Sequence, residues 1–311
     1  MESLNRMAIE LADEALEFAE ELNVRGFDLE NGATVLDFGV EATGGIEAGL
    51  LLAEMQTAGL ATVQTRMDEV GGSVFPHVEL TTDRPAHALL CSQKAGWELS
   101  VEGFEGLGSG PARALVAEES EFRRIDCADA FDLAVLAVES ETLPTAAVAE
   151  HVAETADIDP EGLYLAGFST ASIAGSVSVA SRAAEVALFR LFEAGYDPTD
   201  VLTASGSAPM APVPDSEEIA IGRTNDALAY GGQVHLTVAT DSPEFTDLVS
   251  TAGETYGRPF VDIFDEVDWS FSDVDPSVFA PAELTVDVVG GPTYAVGDVD
   301  EDMLVDSFDL A

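Results

Sequence analysis

The stretch GLYLAGFSTASIAGSVSVASRAAEVALF, residues 162–189, places an apolar strand-like run directly before a long helix-like run. Its first part, residues 162–168, is short and apolar, as a buried strand would be. From residue 171 to residue 189 small and apolar residues continue well beyond the usual length of a strand. We therefore predict a helix there, ended by Gly195. A strand that runs directly into a helix is the unit from which α/β folds are built.

The same alternation of strand-like and helix-like segments runs through the rest of the chain. The other predicted strands are 33–40, 78–82, 88–90, 131–140, 233–240 and 282–289, and the other predicted helices are 3–23, 46–60, one opening near Pro111, 143–155 and 243–252. This order predicts the α/β fold class. The chain has 311 residues, enough for two domains or one large α/β unit. We expect two α/β domains, 1–130 and 131–311, with an uncertain boundary and with discontinuous domains as an alternative.

Acidic residues dominate the composition: 59 Asp and Glu stand against 12 Lys and Arg, and the net charge is −47. A folded chain of this mass exposes about 12,000 Å², which places net charges roughly 16 Å apart. The electrostatic screening length is about 10 Å at 0.1 M salt and about 3 Å at 1 M, so molar salt would screen the repulsion between these charges almost completely. We interpret the charge as adaptation to a high-salt cytoplasm. A nucleic-acid mimic or polycation binder would instead concentrate its acids in one run or face.

Several partners and locations are disfavoured by the same sequence. No basic patch exists to bind nucleic acid. The N-terminal residues lack an apolar signal core, and no apolar run is long enough to span a membrane, so we expect a cytoplasmic protein. Cys91 and Cys127 are expected to be reduced core thiols. The four histidines show no metal-binding spacing, and we expect no metal.

Two charges interrupt the otherwise uncharged run 171–189: Arg182 and Glu185. In a helix, residues three apart project from the same face. Because the flanking residues are small and apolar, we expect that face to be covered. A buried carboxylate beside a guanidinium can act as a general base. The alternative is an ordinary salt bridge on the helix surface.

GFSTA (167–171) lies between the predicted strand and helix, where a serine hydrolase places its nucleophile. Ser169 would be that nucleophile, and it would need a histidine in a downstream loop. His235, the only histidine further along the chain, falls in the middle of a predicted strand. A serine hydrolase is therefore the weaker enzyme alternative.

GLGSGPARA (106–114) has the glycines and the following helix of an anion-binding turn, although it matches neither common phosphate-binding motif. Arg113 would add a fixed positive charge there. A tight structural turn is an equally good interpretation. Residues 222–232, GRTNDALAYGG, gather polar side chains beside glycines, which suits either recognition of a heterocycle edge or a capped loop.

The chain resembles the methenyltetrahydromethanopterin cyclohydrolase family in a series of motifs that occur in family order. They are DFGVEATGGIEAGL (37–50), QKAGW (93–97), GSGPARAL (108–115), TASIAGSVSVASRAAEVAL (170–188), SGSAPMAPVP (205–214), GRTNDALAYGG (222–232) and FAPAELTV (279–286). The resemblance implies two α/β domains enclosing a pterin cleft, a homotrimer and no cofactor. It also implies an enzyme of one-carbon metabolism that interconverts a methenyl-tetrahydropterin and water with the N5-formyl compound.

The family's R-x-x-E pair falls on Arg182 and Glu185, which implies that Glu185 is the base and Arg182 its partner. Further contacts with the substrate are implied for seven residues: Gln93, Ser109, Gly110, Arg113, Thr224, Asn225 and Asp226. The implied carrier is tetrahydromethanopterin. The scarcity of lysine, with Lys94 alone, leaves tetrahydrofolate or another pterin as alternatives. A non-catalytic pterin-binding homologue would keep the cleft but need no base.

Overall fold

A computed structural model describes residues 2–267, 269 and 274–310 of the chain. The chain folds into two compact units. Unit 1 consists of Met1–Thr62 and Ala86–Ser178, and unit 2 consists of Val63–Pro85 and Val179–Ala311. Each unit contains one six-stranded mixed sheet, so the predicted α/β class with two sheet-containing domains is confirmed.

The sheet of unit 1 has the order β1-β2-β8-β7-β6-β5. Its strands are β1 (Arg25–Asp28), β2 (Thr34–Gly39), β5 (Ala95–Val101), β6 (Phe104–Ser109), β7 (Ala134–Glu139) and β8 (Leu163–Phe168). The central three strands, β2, β8 and β7, run parallel, and the outer strands are antiparallel to their neighbours. The parallel strands are almost wholly buried, which explains their continuous apolar sequences.

Helices cover both faces of this sheet. They are α1 (Leu4–Glu17), α2 (Ala19–Leu22), α3 (Ile46–Gln56), a π-helix (Ala86–Gln93), α4 (Arg113–Val116), α5 (Ser120–Ile125), α6 (Ala146–Ala156) and α7 (Ile173–Ala180). Val148 and Val152 of α6 pack into a core with Leu136 of β7. In β6, a side chain on Gly108 would also meet Leu136, whereas the next residue, Ser109, points to the opposite face and bonds to α3. Helices α6 and α3 therefore lie on opposite faces.

The sheet of unit 2 has the order β12-β11-β10-β9-β4-β3. Its strands are β3 (Thr62–Val70), β4 (Ser73–Thr82), β9 (Val201–Pro209), β10 (Gln233–Val238), β11 (Glu283–Val288) and β12 (Thr293–Gly297). Its helices are α8 (Ala183–Glu193), α9 (Glu217–Gly231), α10 (Phe260–Asp265) and α11 (Glu301–Ser307). A second apolar core, which includes Phe260, Phe264 and Phe308, joins α9, α10 and α11.

The division of the chain differs from the two contiguous segments that we expected. The expected boundary after residue 130 lies inside unit 1, because β7 and β8 pair with β6 and β2, which precede them in the sequence. The π-helix occupies the predicted strand 88–90, and that strand prediction is wrong. The predicted helix 243–252 is also wrong, since two short 3-10 turns, Pro243–Asp247 and Ser250–Ala252, stand in its place.

Candidate functional site

The long helix predicted over 171–189 is two helices that meet at Arg182. Helix α7 ends at Ala180 and α8 begins at Ala183, with Arg182 as the N-cap residue. Glu185 lies in the first turn of α8, where the partial positive charge of a helix N-terminus favours a carboxylate. Arg182 and Glu185 were expected on one face of a continuous helix, and the structure instead places them at the start of α8.

Arg182 and Glu185 form an ion pair, with 3.6 Å between Arg182 Nη1 and Glu185 Oε2. Both residues are buried, and their side chains are 8% and 7% exposed. Burial removes the solvent screening that weakens an ion pair on a surface. The separation exceeds a normal hydrogen bond. The arrangement is thus a buried charge pair that holds a carboxylate near a guanidinium without a tight bidentate contact.

Gly206 in β9 explains how the start of α8 approaches the sheet of unit 2. A Cβ at this glycine would lie 2.6 Å from the backbone nitrogen of Ala184 and 2.9 Å from the Ala184 Cβ. Because real side chains do not tolerate such contacts with backbone, any larger residue would move the first turn of α8. Gly206 therefore sets the position of the Arg182–Glu185 pair.

Four carboxylates are buried in the part of the chain that the structure describes: Asp37, Glu121, Glu185 and Asp226. Asp37 accepts hydrogen bonds from the backbone N–H groups of residues 39–42. Glu121 lies 2.6 Å from the Lys94 Nζ, and Asp226 accepts two hydrogen bonds shorter than 3.0 Å. The contacts of these three are those of structural carboxylates.

The predicted binding residues of unit 1 lie around the carbonyl oxygen of Ser92. The Gly110 N–H donates to that oxygen at 2.8 Å, and Arg113 Nη1 donates to it at 3.3 Å. Gln93 is the next residue and is fully buried at the end of the π-helix. Ser109 precedes Gly110, and its Oγ accepts a hydrogen bond from Gln56. The structure thus brings together Gln93, Ser109, Gly110 and Arg113.

The GLGSGPARA turn is held by bonds within unit 1. Besides the bond from Gly110, the Ala112 N–H donates to the Val135 carbonyl at 3.0 Å. Helix α4, which follows, has only 4 residues. Gly110 has a φ of +107°, a region in which glycine is favoured. These bonds support the interpretation as a structural turn.

Arg113 is almost wholly buried, and its charge is paired. Its Nε and Nη2 donate to the two carboxylate oxygens of Glu119 at 2.9 and 2.7 Å. Lys94 also contacts Glu119, at 2.8 Å. Burial would raise the pKa of Glu119, but the charges and hydrogen bonds of Arg113 and Lys94 outweigh it and lower that pKa to about 2. Sequence reasoning missed Glu119, because one acid in an acidic chain does not stand out.

The predicted binding residues of unit 2 lie inside α9 rather than in a loop. The Thr224 hydroxyl donates to the Ala220 carbonyl at 2.8 Å, and the Asn225 amide donates to the Ile221 carbonyl at 2.8 Å. Asp226 accepts hydrogen bonds from the Phe260 N–H at 2.9 Å and the Ser307 hydroxyl at 2.7 Å. Burial raises the pKa of Asp226 to about 6, although these hydrogen bonds oppose the rise. Asp226 therefore connects α9 with α10 and α11.

A cavity of about 280 Å³ in unit 2 is lined in part by Asp226 and Arg223. Arg223 is held by a hydrogen bond of 2.8 Å from its Nε to the Ser307 carbonyl. The remaining lining is largely apolar and includes Val261 and Met303. Asp226, a predicted binding residue of α9, thus lines this cavity.

The residues of the serine-hydrolase alternative are placed as follows. Ser169 Oγ accepts a hydrogen bond from the Ala171 N–H at 3.1 Å, in the turn before α7. His235 is exposed in the middle of β10, as the sequence predicted. Ser169 thus lies in the strand-to-helix turn where such a nucleophile is found, whereas His235 lies in a strand and not in the loop that a triad histidine occupies.

The described residues contain no group of three or more His, Cys, Asp or Glu side chains placed to hold a metal ion. Within the same ranges, no helix has both the length and the apolar character needed to cross a membrane.

Comparison with known proteins identifies relatives over the whole chain. The sequence profile of the cyclohydrolase (MCH) family matches residues 3–308. The methenyltetrahydromethanopterin cyclohydrolase of Halobacterium salinarum is 62% identical over 311 residues, covering 100% of both chains. The enzymes of that name from Methanocella arvoryzae and Methanosarcina barkeri are each 38% identical. The alignments cover 99% and 100% of this chain and 98% and 99% of those relatives, respectively.

Proposed function

The chain belongs to the cyclohydrolase (MCH) family, and we propose that it interconverts 5,10-methenyl-tetrahydromethanopterin and water with the N5-formyl compound. The relatives that carry this activity in their names match essentially the full length of the chain. The observation that carries the proposal on the structural side is the buried Arg182–Glu185 pair at the start of α8.

The substrate is a cation whose methenyl carbon lies between two nitrogens and is already electrophilic. What the reaction needs is a base that accepts a proton from water as the oxygen attacks that carbon. We assign this role to Glu185. The carbon–N10 bond then breaks, and the proton held by Glu185 passes to N10. The proton of the new hydroxyl group leaves to solvent as the formyl oxygen forms, so one proton is released for each water consumed.

Arg182 acts through Glu185 and through the substrate. Its positive charge favours the ionised form of the carboxylate, which is the form that accepts a proton. A guanidinium beside the reacting carbon also stabilises the oxygen that develops negative charge during attack. Because both side chains are buried, these electrostatic effects are larger than they would be in water.

The other seven predicted residues remain proposals as contacts of the substrate. The contacts of Gly110, Arg113 and Ser109 favour a supporting role, in which they fix the end of the π-helix and Gln93. The contacts of Thr224, Asn225 and Asp226 likewise favour a role in holding α9 and its neighbours. None of these assignments needs a cofactor, since the tetrahydropterin is itself the substrate.

Location, assembly and salt adaptation are proposals as well. We expect a cytoplasmic homotrimer that works in molar salt. The Halobacterium relative and the net charge of −47 support the salt adaptation. Molar salt also strengthens apolar association, which favours an oligomer. Sedimentation equilibrium in KCl tests the trimer directly, and a mass equal to one chain would contradict it.

One assay tests the function and ranks the carriers. Methenyl-tetrahydromethanopterin and methenyl-tetrahydrofolate are added separately to the protein in about 2–3 M KCl, at which surface repulsion is screened. We expect loss of the methenyl absorbance, faster with the methanopterin derivative. Pterin binding without loss of absorbance would indicate a non-catalytic homologue, and the reverse order of rates would indicate a folate-type carrier.

A further inference from the structure

The cavity of about 280 Å³ in unit 2 is lined by residues of three helices, α9, α10 and α11. From α9 come Ile219, Arg223 and Asp226, whose spacing of i, i+4 and i+7 places them on one helix face. From α11 come Met303 and Asp306, at i and i+3. Regular helices rather than loops therefore position the charged and apolar side chains of this cavity.

Arg223 lines the cavity with a guanidinium whose charge is not neutralised by the chain. Its Nε donates to the Ser307 carbonyl at 2.8 Å. Among the residues that the structure describes, its side chain makes no other hydrogen bond and no ion pair. In contrast, Arg66, Arg113 and Arg258 each pair with a carboxylate. A guanidinium has five N–H donors, so the Nη groups of Arg223 are available to an anionic group in the cavity.

Negative charge lines the same cavity. Asp306 is exposed, and its carboxylate makes neither an ion pair nor a hydrogen bond with the described part of the chain. Asp226 is buried, and its two oxygens accept from the Phe260 N–H and the Ser307 hydroxyl. Because Arg223 pairs with neither acid, charges of both signs line the cavity without neutralising each other.

The remaining lining is largely apolar and includes Ile219, Pro259, Val261 and Met303. Apolar surface of this kind favours a ligand that removes it from water. Pockets for drug-sized ligands measure roughly 300–1,000 Å³, so a cavity of about 280 Å³ suits a smaller molecule. The complementary ligand has an anionic group, a cationic group and a small apolar body.

We propose that this cavity binds a small zwitterion of that kind, an α-amino acid with an aliphatic side chain. The carboxylate of the ligand accepts hydrogen bonds from the Nη groups of Arg223, and its ammonium group lies beside the Asp306 carboxylate. The aliphatic side chain packs on Val261 and Met303. The site belongs wholly to unit 2, and the inference does not depend on the proposed cyclohydrolase reaction.

Three ligands of nearly the same shape separate the contributions of the two charges. L-Leucine has both charged groups, 4-methylpentanoate lacks the ammonium group, and 3-methylbutylamine lacks the carboxylate. Calorimetric titration of each into the full chain in about 1 M KCl, at which surface repulsion is screened, gives three dissociation constants. We expect L-leucine to bind about tenfold more tightly than either analogue, because each analogue loses one charge-assisted contact.

Two substitutions assign the charges to residues. Arg223→Gln is expected to weaken binding of L-leucine and 4-methylpentanoate by about tenfold and to leave 3-methylbutylamine unchanged. Asp306→Asn is expected to weaken binding of L-leucine and 3-methylbutylamine by a few-fold, since Asp306 is exposed, and to leave 4-methylpentanoate unchanged. Glu301→Gln removes an exposed carboxylate from the first turn of α11 and is the matched control, which should leave all three constants unchanged.

The exposed position of Asp306 keeps the test decisive if Arg223→Gln does not fold, as judged by circular dichroism. A second readout is the urea midpoint of unfolding, which L-leucine should raise in the unaltered protein by mass action and raise less in the two variants. Absence of L-leucine binding by the unaltered protein overturns the inference, and so does equal affinity for L-leucine and 4-methylpentanoate. The cyclohydrolase reaction is read separately from the methenyl absorbance, so an active protein that does not bind L-leucine contradicts this site alone.

Discussion

Arg182 occupies the N-cap position of α8 and Glu185 lies in the first turn, with 3.6 Å between Arg182 Nη1 and Glu185 Oε2 and with both side chains buried. A helix start gives the carboxylate a favourable field, and the guanidinium adds a second positive charge. Both positive charges favour the ionised form of the Glu185 carboxylate. A general base in a hydration reaction needs that combination.

Both the shape and the positive charge of Arg182 should contribute to turnover, because the residue orients Glu185 and stabilises developing charge. We expect Arg182→Lys to lower kcat by about tenfold and Arg182→Ala by about a hundredfold. Steady-state rates in molar KCl measure both. Arg84→Lys is the control, since Arg84 is exposed and should retain the full rate. Equal rates for the lysine and alanine variants would show that shape and charge at this position do not contribute as described.

Arg113 should act on stability, because its guanidinium is buried, bidentate with Glu119 and bonded to two carbonyl oxygens. Arg113→Lys keeps a positive charge but loses the bidentate hydrogen bonds of the guanidinium. We expect the free energy of unfolding to fall by about 2–4 kcal/mol. Urea titration in molar KCl measures it. Unchanged stability together with weaker substrate binding would instead make Arg113 an anchor for the anionic tail of the substrate.

Asp226 should make the fold less stable as the pH rises. Burial raises its pKa in the folded chain to about 6, against about 3.9 in an unfolded chain. The folded state therefore holds the proton more tightly. Its contribution to stability is complete below pH 4 and is lost as the pH rises through 6, by up to about 3 kcal/mol.

The substitution Asp226→Asn removes this titration. The quantity to follow is the difference in the free energy of unfolding, that of the unaltered protein minus that of Asp226→Asn. We expect this difference to become less positive as the pH rises from 4.5 to 7.5. Urea titrations at the two pH values give the difference. The subtraction cancels the titration of the many surface acids, which both proteins share. A difference that is constant over this range would contradict the raised pKa.

Salt should stabilise the fold strongly. The net charge is −47, and repulsion between surface carboxylates is weakly screened at low salt and almost fully screened at molar salt. We expect the urea midpoint of unfolding to rise steadily from about 0.1 M to about 3 M KCl. Greater stability at low salt would contradict adaptation to a salt-rich cytoplasm and favour a partner-binding role for the acids.

The sequence predicted those features that follow from local patterns. The strand before residue 169 and the alternation of strands and helices produce apolar runs of characteristic length, and the structure confirms them. The break at Arg182 was missed, because small residues on both sides satisfy the pattern of a continuous helix. The approach of Gly206 to Ala184 joins two elements, so it leaves no signal in either segment alone.

The polar residues show the same limit. The spacing of Arg182 and Glu185 predicted the pair, whereas the partner of Arg113 depends on how the chain folds back to Glu119. Thr224 and Asn225 were predicted as substrate contacts, and their helical setting directs their polar groups to carbonyls of the preceding turn. Glu139 and Thr170, which are 31 positions apart, meet only because β7 and β8 are neighbours.

Glu185→Gln tests the account most directly. The amide keeps the size of the side chain and can still contact Arg182, but it cannot accept a proton from water. We expect kcat for loss of the methenyl absorbance to fall by about a hundredfold or more, with the helical circular dichroism spectrum unchanged. Near-normal turnover by a folded Glu185→Gln protein would contradict the assignment of Glu185 as the base.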